Sequence, residues 1–313
     1  MTRPPVALLG ILCLVAGIAV FSMQDVILKR LSGDYPLHQA MVLRSLAAAP
    51  LLFGLAVLSG GARSLIAPGW PRMVLRGLVS FAAYTCYYLA LPALPIATTV
   101  ALYFSAPLVI VVLSVVMLGE RVSPARWLAV ICGFGGVVVI LRPDAAPVDL
   151  AAALAIGSGM AYALSMILAR IQGGQFSAAA MAFHGNLVFL GLALGLSLVF
   201  GRGGWSAESL HPSLAFLTRG WVMPPARDLA LMAACGPIAA LGLTLLNQAY
   251  RLAPAPMLAP FEYTALIWGL IWGWLIWSDW PDTATWAGIA IIVTAGLVVL
   301  WRPGTPRADI ATP

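Results

Sequence analysis

The sequence predicts an all-α membrane protein of ten transmembrane helices, built as two inverted five-helix repeats. Hydrophobic residues make up 62% of the 313 residues and charged residues only 9%, whereas soluble domains carry about 25% charged residues. The apolar residues also form ten runs, which approach the roughly 20 residues that a membrane-spanning helix needs. Finally, parts of the first half of the chain recur in the second half at nearly constant spacings, and such a repeat determines the architecture.

The ten runs leave little of the chain for a soluble domain. The first run follows Arg3, is longer than the apolar core of a typical signal peptide and lacks a small-residue cleavage pattern, so we interpret it as the first helix. The predicted spans are residues 6–27, 37–58, 73–91, 95–118, 124–141, 149–169, 178–200, 229–250, 255–277 and 284–301.

Two helical hairpins show the repeat most clearly. Residues 83–120 contain two apolar runs joined by a short turn that prolines interrupt, and residues 242–279 repeat this design 159 positions later. The opening parts of the two halves match at a spacing of 140, so an insertion in the second half must absorb the difference. We therefore divide the chain into a first repeat (1–145), a second repeat (146–305) with an outer loop at 201–228, which we interpret as an interfacial flap, and a tail (306–313).

The distribution of Lys and Arg predicts the orientation. If the N-terminus is cytoplasmic, the inner segments hold ten basic residues, including Arg72 and Arg76, and the short outer loops hold only Lys29, Arg30 and Arg142. Both termini are therefore expected in the cytoplasm. Five spans are an odd number, so the two repeats must lie in opposite orientations, which is typical of secondary transporters.

Composition and motifs argue against several other classes of protein. The net charge of +6 comes from single residues at helix ends rather than from a basic run, so no nucleic-acid partner is expected. The four cysteines fall within predicted spans without metal-ligand spacing. The sequence contains no catalytic constellation and no nucleotide-binding loop. We therefore predict no enzyme activity, no metal and no cofactor.

We identify only four ionisable side chains as lying within the spans, where charge is costly and marks a functional site: Asp25, Arg44, His184 and Glu262. The hypothesis is that Asp25 pairs with Arg44 in the outer half of the pathway and His184 with Glu262 in the inner half, for gating or coupling. Alternatively, Asp25 and Arg44 extend to the interface, and His184 is a neutral buried histidine. Proton coupling through Glu262 and His184 and uncoupled downhill flux both remain open.

Tyrosines and amides in the hairpins predict a substrate cavity near the midplane. Tyr84, Tyr87 and Tyr88 share one helical face, and tyrosines offer apolar rings with hydroxyl tips, which suits an amphiphilic small molecule. Ordinary helix packing is the alternative. The predicted cavity residues are Tyr84, Tyr87, Tyr88, Thr99, Tyr103, Tyr162, Asn247, Gln248, Tyr263 and Trp268.

These features resemble the drug/metabolite transporter superfamily in its EamA-repeat branch, over almost the whole chain. The resemblance is most specific in the first hairpin, which ends in Gly119-Glu120, where the second hairpin has Ser278-Asp279. It also rests on Pro95, Pro107, Leu118, Trp127, Gly133 and Gly136. Within this branch the sequence is most similar to YddG-type bacterial amino-acid exporters. The resemblance implies a central cavity between predicted helices 3, 4, 8 and 9, with alternating access between two half-bundles.

The expected function is export of aromatic or neutral amino acids across the bacterial inner membrane by a multi-pass secondary transporter. The alternatives are carriage of another metabolite, such as S-adenosylmethionine or riboflavin, including uptake, and more distantly an intramembrane enzyme or an accessory subunit. The expected partners are a small-molecule substrate, with amino acids favoured, and the lipid bilayer. A monomer is compatible with the sequence.

Overall fold

The computed structural model describes residues 4–60, 65, 70–119, 123–141, 149–172, 176–205, 211–253, 258 and 261–301. All regular secondary structure in these ranges is helical. The helices are α1 (Pro4–Leu31), α2 (Leu37–Gly60), α3 (Trp70–Ala90), α4 (Ile96–Tyr103), α5 (Ala106–Leu118), α6 (Pro124–Leu141), α7 (Leu150–Gln172), α8 (Ala178–Phe200), α9 (Pro212–Thr218), α10 (Ala226–Leu252), α11 (Thr264–Trp277) and α12 (Thr283–Trp301).

Seven of the predicted spans are confirmed as helices long and apolar enough to cross a membrane. The other three correspond to shorter apolar helices within the described ranges, at Val130–Leu141, Thr264–Trp277 and Thr283–Ala295. The seven candidate spans are Leu8–Leu31, Leu37–Gly60, Trp70–Ala90, Ile96–Met117, Leu150–Ala169, Ala178–Phe200 and Ala226–Leu252.

Helix α1 is longer than predicted. It continues to Leu31, so Lys29 and Arg30 lie in its last turn and not in an outer loop. The Lys29 ammonium donates hydrogen bonds to the carbonyl oxygens of Leu91 (3.0 Å) and Leu94 (2.6 Å), just beyond the end of α3. Carbonyl groups at a helix end lack intrahelical donors. Lys29 provides donors for two of them and so connects α1 to the end of α3.

The fourth predicted span is interrupted rather than continuous. Helix α4 ends at Tyr103 and α5 begins at Ala106. Pro107 has no N–H group, so the carbonyl of Tyr103 cannot receive its helical hydrogen bond. The chain tightens there, and the Ser105 N–H bonds to the Leu102 oxygen at 3.1 Å. The interruption leaves backbone polar groups in the middle of the bundle, where the sequence had predicted a regular helix.

The helices pack in pairs that relate the two halves of the chain. Helix α1 packs along α10 and α3 along α7, while α2 packs against α8 and α6 against α12. In the predicted repeats α1 corresponds to α7 and α3 to α10, so exchanging the repeats turns the α1–α10 pair into the α7–α3 pair. The α2–α8 pair and the α6–α12 pair are each unchanged by the exchange. A two-repeat bundle would produce this pattern.

Glycine allows the close packing of α6 against α12. A Cβ atom added at Gly136 would lie 2.9 Å from the Gly288 carbonyl oxygen, and one added at Gly288 would lie 2.7 Å from the Gly136 oxygen. Small residues of this kind permit close backbone approach between membrane helices.

The hairpin helices α5 and α11 end in the same conformation. Gly119 follows α5 at φ 67° and Ser278 follows α11 at φ 56°, both in the left-handed region. The N–H groups of Ser278 and Asp279 bond back to the carbonyls of Trp274 (3.2 Å) and Gly273 (3.0 Å), which is the glycine-type helix cap. The weak sequence match between Gly119 and Ser278 thus corresponds to a shared backbone geometry.

This geometry predicts opposite effects of two exchanges. Ser278→Gly is expected to stabilise the protein and Gly119→Ala to destabilise it, each by about 1 kcal/mol, because a Cβ atom is strained at positive φ. Nothing lies within 4 Å of a Cβ atom at Gly119, so the effect there reports on backbone strain alone. Thermal unfolding of the purified protein in detergent measures both changes, and equal shifts in the same direction would contradict the prediction.

The predicted outer loop contains α9 and lies against the α1–α2 connection. Gln39 exchanges two hydrogen bonds with the backbone of Val222, at 2.7 and 3.1 Å, and Arg219 donates to the Ser32 oxygen at 3.0 Å. The Tyr35 hydroxyl donates to the Asp228 carboxylate at 2.6 Å, and this hydrogen bond raises the pKa of Tyr35 to about 12. The described part of this segment is therefore fastened to the ends of the long helices.

Candidate functional site

A central cavity lies between α1, α3, α4, α7, α10 and α11. The space within it that is free of protein atoms is about 820 Å³, including its open part. Its wall combines aliphatic and aromatic side chains with a small set of polar ones, the composition typical of small-molecule sites. The polar side chains are Ser22, Asp25, Tyr84, Tyr87, Tyr103, Ser158, Tyr162 and Glu262.

Four of the predicted tyrosines form one continuous part of this wall. The ring centroid of Tyr103 lies 5.5 Å from that of Tyr87 and 5.2 Å from that of Tyr162. The fourth, Tyr84, lines the cavity beside Tyr87 on α3. Such tilted and edge-on aromatic contacts are favourable beyond simple burial. This part of the wall therefore offers several ring faces and hydroxyl groups to a bound molecule.

The two predicted intramembrane carboxylates both face the central cavity. Asp25 on α1 accepts a hydrogen bond from the Tyr87 hydroxyl at 3.1 Å. Glu262, which lies two residues before the start of α11, is 3% exposed and accepts hydrogen bonds from the Tyr162 hydroxyl at 3.1 Å and from the Tyr250 hydroxyl. Hydroxyl donors hold each carboxylate in a defined place on the wall, where it can attract the cationic end of a substrate.

The interrupted helix contributes to the site at its break. Phe104 follows α4 and lines the cavity, and its ring packs against that of Tyr263 at 5.0 Å between centroids. Tyr103 and Phe104 correspond to Glu262 and Tyr263 at the repeat spacing of 159. Matching positions in the two halves therefore meet at the cavity. Broken helices at a repeat interface are a feature of transporter binding sites.

Six of the ten predicted cavity residues lie outside the wall of the central cavity. Tyr88 is 1% exposed and accepts a hydrogen bond from Gln24. Thr99 is fully buried and bonds to the Pro95 oxygen of its own helix at 3.1 Å. Trp268 stacks on Trp272, and it is Trp272 that lines the cavity. Helical periodicity does not specify which face of a helix lines the cavity.

The remaining predicted cavity residues have other surroundings. Tyr263 packs behind Phe104 and is 7% exposed. Gln248 accepts a hydrogen bond from Arg251 at 2.9 Å. Asn247 lines a second pocket, described below.

The two proposed charge pairs are not formed in this structure. Asp25 lines the central cavity, whereas Arg44 lines the second pocket. The His184 ring nitrogens lie 2.8 Å from the Ala180 oxygen and 3.0 Å from the Leu65 oxygen. Glu262 takes its hydrogen bonds from tyrosines instead. The two residues of each pair were paired because they lie at similar depth in the membrane. The packing of the helices separates them laterally.

The count of only four ionisable residues within the spans was wrong. Arg76 had been assigned to an inner segment, but it lies inside α3, is 9% exposed and donates a hydrogen bond to Asn247. Its position inside the predicted span 73–91 was a sufficient signal. His38 was also missed; it is fully buried in α2 and contacts Ser197 at 3.0 Å.

The second pocket lies between α2, α3, α8 and α10 and has an empty volume of about 480 Å³. Tyr84 lines both this pocket and the central cavity. The polar side chains of the second pocket are Arg44, Arg76, Ser80, Tyr84, Asn186 and Asn247.

Comparison with known proteins finds similarity to a family of transporters. Residues 8–142 match the EamA-like transporter family. The chain is 26% identical over 288 residues to the pseudopaline exporter CntI of Pseudomonas aeruginosa, with 91% of this chain and 94% of that one covered. It is 27% identical over 228 residues to an S-adenosylmethionine uptake transporter of Rickettsia bellii, with 73% and 72% covered.

A solved structure supports the fold. One crystal structure superimposes with a TM-score of 0.66 at 18% sequence identity, covering 96% of this chain and 98% of that chain. At this identity the likeness concerns the fold alone.

The helical membrane fold and the central cavity agree with the match of residues 8–142 to the EamA-like transporter family. The match to this family covers the first half of the chain.

Proposed function

We propose that the protein is a secondary transporter that exports amino acids, aromatic or neutral, across the bacterial inner membrane. The observation that supports this proposal most strongly is the central cavity, which Asp25 and Glu262 line together with four tyrosines. A carboxylate attracts the ammonium group of an amino acid, and the aromatic wall accepts an apolar or aromatic side chain.

The proposal includes alternating access between two inverted repeats, at about 1–145 and 146–305, with both termini in the cytoplasm. Three features support it: the paired packing of corresponding helices, the left-handed caps at Gly119 and Ser278 and the meeting of Phe104 with Tyr263 at the cavity. Rocking of one repeat against the other would expose the cavity to each side in turn.

A second candidate substrate is a cationic metabolite such as S-adenosylmethionine. Two carboxylates and several ring faces in one cavity suit a positively charged centre, and one group of similar proteins is named for uptake of this compound. This candidate differs from the first in both substrate and direction.

The decisive experiment is counterflow into proteoliposomes of the purified full-length protein. Labelled amino acids are offered to vesicles loaded with unlabelled ones, and unlabelled S-adenosylmethionine is tested as a competitor. We expect saturable accumulation of a few amino acids and little competition. Accumulation blocked by S-adenosylmethionine, with flat amino-acid traces, would replace the first substrate by the second.

A variant pair tests the role of the cavity in the same assay. Asp25→Asn is expected to raise the half-saturating amino-acid concentration about tenfold or more, because a hydrogen bond to a charged group is lost. Asp34→Asn, which changes an exposed carboxylate just beyond α1, should behave as the wild type. An unchanged half-saturation in Asp25→Asn would remove this carboxylate from the substrate site.

A further inference from the structure

The second pocket contains two buried arginines whose hydrogen-bonding capacity is not fully used. Arg44 on α2 is 1% exposed, and its Nε and Nη1 atoms are buried with no hydrogen-bond partner among the described residues. Its guanidinium carbon lies 4.7 Å from the centroid of the Phe189 ring, which positions the group but accepts no hydrogen bond of ordinary strength. Buried donors without acceptors destabilise a folded protein, so the Arg44 guanidinium could accept further hydrogen-bond partners at a gain in free energy.

The second arginine repeats this situation from the opposite wall. Arg76 on α3 donates from Nη2 to the Asn247 side-chain oxygen, but its Nε is buried without a partner in the described part of the chain. Asn247 is itself held by α8, because its amide donates to the Ala178 oxygen at 3.4 Å. The amide thus orients the guanidinium group while leaving part of its planar fork unoccupied.

The charge in this pocket is not balanced locally. The described residues that line it include Arg44 and Arg76 but neither Asp nor Glu. Its neutral polar groups are two asparagines, one serine and the tyrosine shared with the central cavity. Each guanidinium group is a planar fork of donors that matches a carboxylate, and both groups line this one pocket.

We propose that this pocket is the subsite for a carboxylate group of the transported substrate, with Arg44 and Arg76 as its ligands. The inference deepens the proposed transport function and rests on it. A substrate would bind beside Tyr84, which lines both pockets, with its carboxylate toward the two arginines and its cationic group toward the central cavity. The two pockets thus recognise opposite charges of one molecule.

The predicted repeat contains no second copy of this arginine pair. At the repeat spacings of 140 and 159, Arg44 corresponds to His184 and Arg76 to Cys235. His184 has both ring nitrogens on backbone oxygens, and Cys235 carries no comparable charge. An arginine pair on one side only departs from the internal symmetry, which points to ligand recognition rather than to a need of the fold.

Three probes that share one phenyl ring separate the two charges. L-phenylalanine carries both charged groups, 3-phenylpropanoate only the carboxylate and phenethylamine only the ammonium. Their dissociation constants are measured by calorimetry on the purified protein in chloride-free buffer. In Arg44→Gln and Arg76→Gln we expect binding of the first two probes to weaken about tenfold or more, through loss of charge-assisted hydrogen bonds, with phenethylamine binding unchanged.

The chain offers a matched control on the same helix. Arg72→Gln removes an exposed guanidinium one turn before Arg76 and should leave all three constants unchanged. Arg44→Lys and Arg76→Lys retain the charge without the planar fork, so they should bind carboxylates with intermediate strength. These conservative variants keep the test valid if a glutamine variant does not fold.

Several outcomes would overturn the subsite. They are equal weakening of phenethylamine and the carboxylates, unchanged carboxylate binding in the arginine variants, the absence of carboxylate binding by the wild type, or arginine-dependent binding of chloride alone. The proposed function fails separately. If 3-phenylpropanoate binds through the arginines while counterflow shows no amino acid, the subsite stands and the substrate is a different carboxylate.

Discussion

Replacing Glu262 with alanine is expected to abolish amino-acid counterflow and to lower the thermal stability of the purified protein. The Glu262 carboxylate accepts hydrogen bonds from Tyr162 on α7 and Tyr250 on α10, and both tyrosines are buried. Alanine would leave two hydroxyl groups without their acceptor, at a cost of about 1–3 kcal/mol for each. The variant would also remove one of the two carboxylates of the central cavity.

A second exchange at this position separates its two roles. Glu262→Gln keeps a side-chain oxygen for the tyrosine hydroxyls but removes the negative charge. We expect it to recover most of the lost thermal stability, measured by tryptophan fluorescence during heating, while transport stays low. Asp34→Ala, at an exposed carboxylate, controls for the general loss of acidic charge. Wild-type counterflow in Glu262→Gln would show that the charge is dispensable.

The second large effect is expected at Gly159. A Cβ atom at this position of α7 would lie 2.5 Å from the Tyr103 carbonyl oxygen and 2.8 Å from the Ser105 hydroxyl oxygen. These atoms belong to the break between α4 and α5. The added methyl group of Gly159→Ala would therefore push α7 away from the break, beside the cavity. Forced packing of this kind costs about 1–3 kcal/mol, and we expect a lower melting temperature together with impaired transport.

The same helix provides a matched control for Gly159. Gly157 lies two residues earlier in α7, and nothing is found within 4 Å of a Cβ atom added there. Gly157→Ala should therefore leave transport intact and stabilise the protein by up to about 1 kcal/mol through its better helix propensity. If both alanine variants behave alike, the close contact between α7 and the helix break does not matter for stability.

Much of the fold could be predicted because the bilayer limits what a chain can do. Backbone polar groups must be satisfied within the membrane, so long apolar runs become helices, and seven of the predicted spans have the required length and apolarity. The tyrosines Tyr84, Tyr87, Tyr103 and Tyr162, predicted as cavity residues, line the central cavity together with Asp25 and Glu262, which were predicted as gating or coupling residues. Their cost in hydrocarbon makes such groups conspicuous in a sequence.

The errors have a common physical origin. Helical periodicity and depth give the position of a residue along its own helix, whereas contacts depend on which faces two helices turn toward each other. For this reason Tyr88 was assigned to the cavity although it lies behind it against Gln24. The break at Ser105 was missed because Pro107 signals a disturbed helix without specifying whether the chain bends or stops.

The sequence by itself determined that this is a helical membrane protein, and it predicts that the two halves repeat and that polar residues concentrate in two hairpins. These properties follow from hydrophobic length and self-similarity, which are local or periodic. Only the tertiary structure decided that Asp25 and Glu262 share one cavity while Arg44 and Arg76 share another. Such groupings arise from the rotation and lateral packing of α2, α3, α8 and α10, which no single stretch of sequence encodes.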